Sequence, residues 1–205
     1  MKRHCHRRDV LALHEAGHLV AIAVTPGLVA ADLVWHRLPD YEIAHVESAR
    51  SAELDWEKPD DRNTLIARHA AVALAGGAAE LAGAMPAREL DVRAIHAQVG
   101  ATDFELAHEW LTLQRYDPDQ ETLEREIQRL FHEVCRTLAA PPVRAAIATV
   151  RDRLLARLAD ADAAGATRLR APARELLADL ALDRTADFAL QATLFDRIAA
   201  ARESA

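Results

Sequence analysis

The sequence predicts a mainly α-helical fold with one small β-hairpin or short sheet, and three observations lead there. Alanine dominates a composition that is 51% apolar but only 4% aromatic. Such a composition suits helices packed closely through small side chains better than a broad sheet. From Pro118 the apolar spacing stays helical nearly to the end of the 205 residues. Only two short segments, Ala30–His36 and Glu42–Ser48, show the partial apolar alternation of strands.

Taken in order, Asp9 is a suitable N-cap and Val10–Val24 reads as a helix, ended by Pro26-Gly27. The two strand candidates follow, joined through Leu38-Pro39-Asp40-Tyr41, as a hairpin or a pair of edge strands beside that helix. Ser51–Asp61 is polar and charged, an exposed loop. Asn63–Leu81 reads as one alanine-rich helix carrying the adjacent Gly76 and Gly77. Each glycine weakens a helix by about 1 kcal/mol relative to alanine, so close packing is a reason to keep them. Gly83–Pro86 breaks the chain, a short helix covers Arg88–Gln98, and Thr102 caps a helix to about Leu113. Four helical segments complete the chain: Pro118–Leu138, Pro142–Ala161, Ala173–Leu180 and Asp183–Ala201. Ala163–Arg170, with Gly165, is the expected hinge. The chain thus divides into a flexible N-terminus (1–8), a domain over 9–162 and a C-terminal helical extension over 163–205.

Charge and cysteine content exclude several classes. The net charge of −7 is mixed along the chain, with no basic field of the kind nucleic acid needs. Cys5 and Cys135 are far apart and in no paired spacing, which fits a reduced, cytoplasmic setting. The basic start Met1–Arg8 precedes an apolar run, but His14, Glu15 and His18 interrupt it and no clean cleavage site follows. No stretch approaches the length needed to span a membrane, so no membrane partner is expected.

The strongest chemical signal is His14-Glu15-Ala16-Gly17-His18. On a helix, positions i and i+4 share a face, so both imidazoles can bind one zinc ion. Glu15 then sits beside the metal as the candidate catalytic base for a zinc-bound water. Between Val10 and Val24 every other residue is apolar or glycine. Burying three such polar groups together is costly unless something satisfies them, and a metal ion does. The competing reading is a chance match in a histidine-rich helical protein. A catalytic zinc needs a third protein ligand and an open position, and the residues alone leave that ligand open.

His14–His18, with Leu13 before it, resembles the zinc helix of FtsH-type proteases, the membrane-bound AAA metalloproteases. Downstream, Ala75-Gly76-Gly77-Ala78-Ala79-Glu80 resembles that family's glycine pair and alanine-glutamate step. Gly100-Ala101-Thr102-Asp103-Phe104-Glu105-Leu106-Ala107 resembles its Gly-Ala-Ser-Asn-Asp segment, with one residue fewer before the aspartate. The resemblance covers roughly residues 8 to 160. It implies a helical zinc-metallopeptidase domain in which Asp103 is the third ligand, whereas Asp103 by itself reads as an acid at a helix start. Glu80 is the rival ligand, since many zinc peptidases take a glutamate from a downstream helix. The resemblance makes Glu80 a near-site residue that orients a ligand.

The expectation is therefore a stand-alone, ATP-independent zinc endopeptidase acting on unfolded or extended polypeptides, without the family's ATPase module and membrane anchors. Its partners would be the polypeptide substrate and either further copies of itself or a protein that delivers substrate. The hairpin matches strands that flank the family's active site, where an exposed edge could hold a peptide by backbone pairing. The alternative is a catalytically silent zinc-containing interaction or regulatory module of the same fold, but a purely structural site has no need of Glu15. His4-Cys5-His6 reads as a frayed terminus, and His36, His45, His69, His96, His108 and His132 as surface or core. The acidic-basic run Asp119–Arg136 reads as a solvated helix face. No Gly-x4-Gly-Lys-Ser/Thr loop and no serine or cysteine nucleophile motif occurs.

Overall fold

A helix that is apolar on nearly every side can be stable only if it is surrounded. Helix α1 (Arg8–Val24) meets that condition: Ala12, Ala16, Leu19, Val20 and Ile22 are all fully buried. The computed structural model describes residues 8–50, 54–84, 101–113 and 120–188. The expected helix over 88–98, the His4-Cys5-His6 group, His96 and the end of the last expected helix lie outside these residues. Asp9 lies within the first turn of α1 rather than before it, where its charge favours the helix N-terminus.

The hairpin forms as expected: β1 (Leu28–Arg37) pairs antiparallel with β2 (Glu42–Arg50), with one irregularity between Ala30 and Leu33. A third strand, β3 (Arg168–Pro172), pairs antiparallel with the other side of β1, giving the order β2-β1-β3. The expected hinge is thus a cap feeding a strand. After α6 (Pro141–Ala163), Gly165 takes a left-handed φ of 70°, and the amides of Gly165 and Ala166 bond back to the carbonyls of Asp162 and Ala161. That is the Schellman arrangement, which ends the helix and turns the chain toward the sheet. Arg170 then reaches across all three strands, to Asp32 on β1 at 2.7 Å and Glu47 on β2 at 2.8 Å. Residues 173–180, expected to be helical, hold only the single turn α7 (Ala173–Leu176), and 183–188 have no regular structure. Ala171, Ala173, Leu176 and Phe188 are buried in the same core as α1.

The expected Asn63–Leu81 helix is two helices. Helix α2 (Pro59–Ala73) starts at Pro59, with Asp60 and Asp61 in its first turn, so the polar segment before it ends at Lys58. A turn at Leu74 then separates it from α3 (Ala75–Ala84). The separation aims α3 along α1, where small residues let the backbones approach. A Cβ on Gly17 would stand 2.5 Å from Ala79 Cβ and 2.7 Å from the Ala75 carbonyl oxygen. Helix α4 (Ala101–Thr112) packs on α2, and α5 (Gln120–Ala139) packs on α3. On α5, Leu123, Ile127, Leu130, Val134 and Leu138 form the buried stripe, while Arg129 pairs with Glu133 on the opposite side. At the turn end of the hairpin, Arg8 and Arg37 are paired with Glu42 and Asp162, tying α1, the hairpin and α6 together. Among the described residues, no helix is long and apolar enough to cross a membrane.

Gly17→Ala is expected to force α1 and α3 apart and to destabilise the protein by about 1–3 kcal/mol, a fall in Tm of several degrees. Thermal unfolding followed by circular dichroism measures it.

Candidate metal centre

His14 and His18 stand one helical turn apart on α1, with ring centroids 4.8 Å apart and planes crossing at 75°. Asp103 comes from the first turn of α4, and Glu80 from α3. The turn between α2 and α3 lets both helices of that pair contribute. His14 Nδ1 lies 2.7 Å from Glu80 Oε1, and His18 Nδ1 lies 2.8 Å from the carbonyl oxygen of Val72. Both partners are acceptors, so each Nδ1 carries a proton and donates it, leaving the lone pair of a neutral ring on Nε2.

Those Nε2 atoms face one another 3.1 Å apart. Asp103 Oδ2 lies 3.1 Å from that of His14 and 3.6 Å from that of His18. A tetrahedral zinc ion with ligands at about 2.0–2.1 Å separates them by about 3.3 Å, close to all three distances. Nothing larger than hydrogen fits at position 76, beside the coordinating atoms: a Cβ on Gly76 would meet His14 Nε2 and stand 2.5 Å from His18 Nε2. His14, His18 and Asp103 could therefore hold a metal ion.

Electrostatics point the same way. Burial alone would lower the pKa of His14, but hydrogen bonds to Asp103 and Glu80, with the charges of Asp103 and Glu15, hold it at about 10. Burial would raise that of Asp103, yet His14, His18 and the amide of Gly77 keep it below the usual carboxylate range. The cluster thus favours a positive charge where the three ligand atoms meet. Glu15 is 3% exposed and its Oε2 has no hydrogen-bond partner. Burial pushes the Glu15 carboxyl up, opposed by the two imidazoles. An unpartnered buried carboxylate oxygen costs roughly 1–3 kcal/mol or more, and a cation held beside Glu15 offsets that cost.

The cluster opens into a cleft of about 720 Å³. One wall is β2, from Ile43 to Ser48; the other is built from His69 and Val72 on α2 and Leu106 and Trp110 on α4. Residues from both faces of β2 line it, so the strand presents to the cleft the edge that no other strand pairs among the described residues. All five residues singled out in the sequence meet here: His14, His18 and Asp103 by their ligand atoms, Glu80 on His14, and Glu15 in the lining. His45 and His69, expected as surface or core, line the cleft as well, and His69 stacks on Trp110. The signal for that wall was present in the i, i+3, i+7 spacing of Asp103, Leu106 and Trp110. The carbonyl of Val72 had none. His132, by contrast, is exposed and bonds to Gln128 of its own helix. No family model, no curated protein and no solved structure matches the chain.

Titration calorimetry with zinc tests the ligand set. Asp103→Ala is expected to abolish tight binding, whereas Glu80→Ala weakens it about 10- to 100-fold by freeing the His14 ring. The reverse order would exchange the two roles. Because His14 is protonated below about 10, zinc uptake near pH 7 must release its proton, and affinity rises with pH across that range.

Proposed function

We propose that the chain is a zinc-dependent, ATP-independent endopeptidase-like hydrolase acting on unfolded or extended polypeptides, as its resemblance to FtsH-type peptidase domains implies. The observation that carries this reading is Glu15, a buried carboxylate with an unpartnered oxygen beside three convergent ligand atoms at the floor of a cleft. A structural zinc site is served by its ligands alone and has no use for such a group. Zinc bound by His14, His18 and Asp103 would supply a Lewis acid and lower the pKa of a coordinated water to about 7.

The chain's own residues do the rest. Glu80 and the Val72 carbonyl fix both rings through Nδ1, so the Nε2 atoms stay aimed at one point. Glu15 takes a proton from the attacking water and passes it to the leaving amine nitrogen. Burial raises its pKa, which strengthens it as the acceptor of that proton. The free edge of β2 offers backbone donors and acceptors to an extended chain laid beside it. A folded segment has already spent those groups internally, which restricts substrates to unfolded or extended polypeptide. No phosphate-binding glycine loop occurs in the sequence, so no nucleotide is assigned a part.

Glu15→Gln is expected to keep stoichiometric zinc and to lose at least about 100-fold of the hydrolysis of unfolded casein. A chelator should abolish the wild-type reaction and added zinc restore it. Stoichiometric zinc without cleavage of any unfolded chain would favour the silent interaction module instead.

A further inference from the structure

The cleft carries a feature that peptide hydrolysis itself does not need. Four large apolar side chains are exposed among the described residues, and two of them, Ile43 and Leu106, lie in the lining of this one cavity at 46% and 44% exposure. Isolated exposed apolar residues are ordinary, but a pair on the two facing walls of one cleft is a recognition surface. Beside them, the rings of His69 and Trp110 are stacked face to face, with centroids 4.3 Å apart and planes 10° from parallel. Trp110 is itself packed against the core, so the stack is a rigid platform.

Its distance from the chemistry follows from helix geometry. Asp103, Leu106 and Trp110 share one face of α4. At 1.5 Å per residue, Leu106 lies about 4.5 Å and Trp110 about 10.5 Å along the axis from the ligand aspartate. An extended polypeptide advances about 3.3 Å per residue. A chain following the cleft thus passes Leu106 one residue from the bond at the metal ligands and meets Trp110 about three residues away.

We propose that Leu106 and the His69–Trp110 stack, faced by Ile43 across the cleft, form a specificity pocket for a leucine- or phenylalanine-sized side chain one to three residues from the scissile bond. Selection is by burial of apolar surface. Entry of a charged substrate side chain would require its desolvation against Leu106, Ile43 and the aromatic faces, which is unfavourable. The position of the bond rests on the peptidase reading; the pocket and its binding preference do not.

The test is fluorescence anisotropy on the zinc-loaded Glu15→Gln protein, which cannot consume its ligand. The probes are labelled unstructured dodecapeptides of alanine and serine with a single leucine moved along the chain. One position should bind about tenfold more tightly than the leucine-free peptide, the factor expected for burying one such side chain. Trp110→Ala and the surface variant Leu106→Ser should bring that peptide to the affinity of the leucine-free one, and Trp110→Phe should restore most of the preference. Equal affinity at every position, or a preference untouched by both Trp110→Ala and Leu106→Ser, would overturn the pocket. Selective binding with no cleavage by the wild-type protein would leave the pocket standing and sink the peptidase reading. Cleavage with no positional preference would do the opposite.

Discussion

Two imidazoles on one helix can point at the same spot only if something else holds their far nitrogens. Here Glu80 holds one and the Val72 carbonyl the other. Both groups come from the α2–α3 pair, so the centre depends on how closely that pair lies against α1. Glycine sets the distance twice. At Gly17 the α3 backbone approaches where no Cβ fits, and at Gly76 the α3 backbone comes up against the two Nε2 atoms with room for hydrogen alone. Larger residues at either place would move the acceptors, and the lone pairs would no longer converge.

The same packing explains why the centre is charged in the way it is. Enclosure by α1, α3 and α4 removes water from Glu15 and Asp103, and that desolvation has to be offset locally. Asp103 and Glu80 hold His14 in a form that favours positive charge, while Glu15 keeps an oxygen without a partner. A divalent cation resolves both features at once, which is a stronger argument for a metal than the spacing of the histidines. The cleft then gives the centre a direction. A strand edge on one side and an aromatic platform on the other suit an extended chain passing between them.

Much of the fold was legible because its signals are periodic. Helix α1 is apolar all round, and β1 and β2 alternate around a turn containing Pro39 and Asp40. Strand β3 escaped notice because five residues with two arginines give too short an alternation, and those arginines face solvent where Arg170 ladders across the sheet. The turn at Leu74 was invisible because the alanines on both sides of it favour helix, and only tertiary contact with α1 decides the angle. At the centre, the i, i+4 spacing brought out His14 and His18, whereas bringing Asp103 to them depended on resemblance. Its side-chain chemistry alone reads as an ordinary acid at a helix start. Backbone acceptors such as Val72, and a histidine such as His69 that acts as a flat surface, leave no mark in a sequence of this kind.

The claim on which the rest stands is that one zinc ion sits between two imidazoles and a carboxylate. X-ray absorption at the zinc edge, on protein loaded with one equivalent, tests it most directly. Nitrogen and oxygen neighbours at about 2.0–2.1 Å, with outer scattering from two imidazole rings and no sulfur, are the predicted result. A sulfur neighbour at about 2.3 Å, or scattering from a single imidazole, would contradict it.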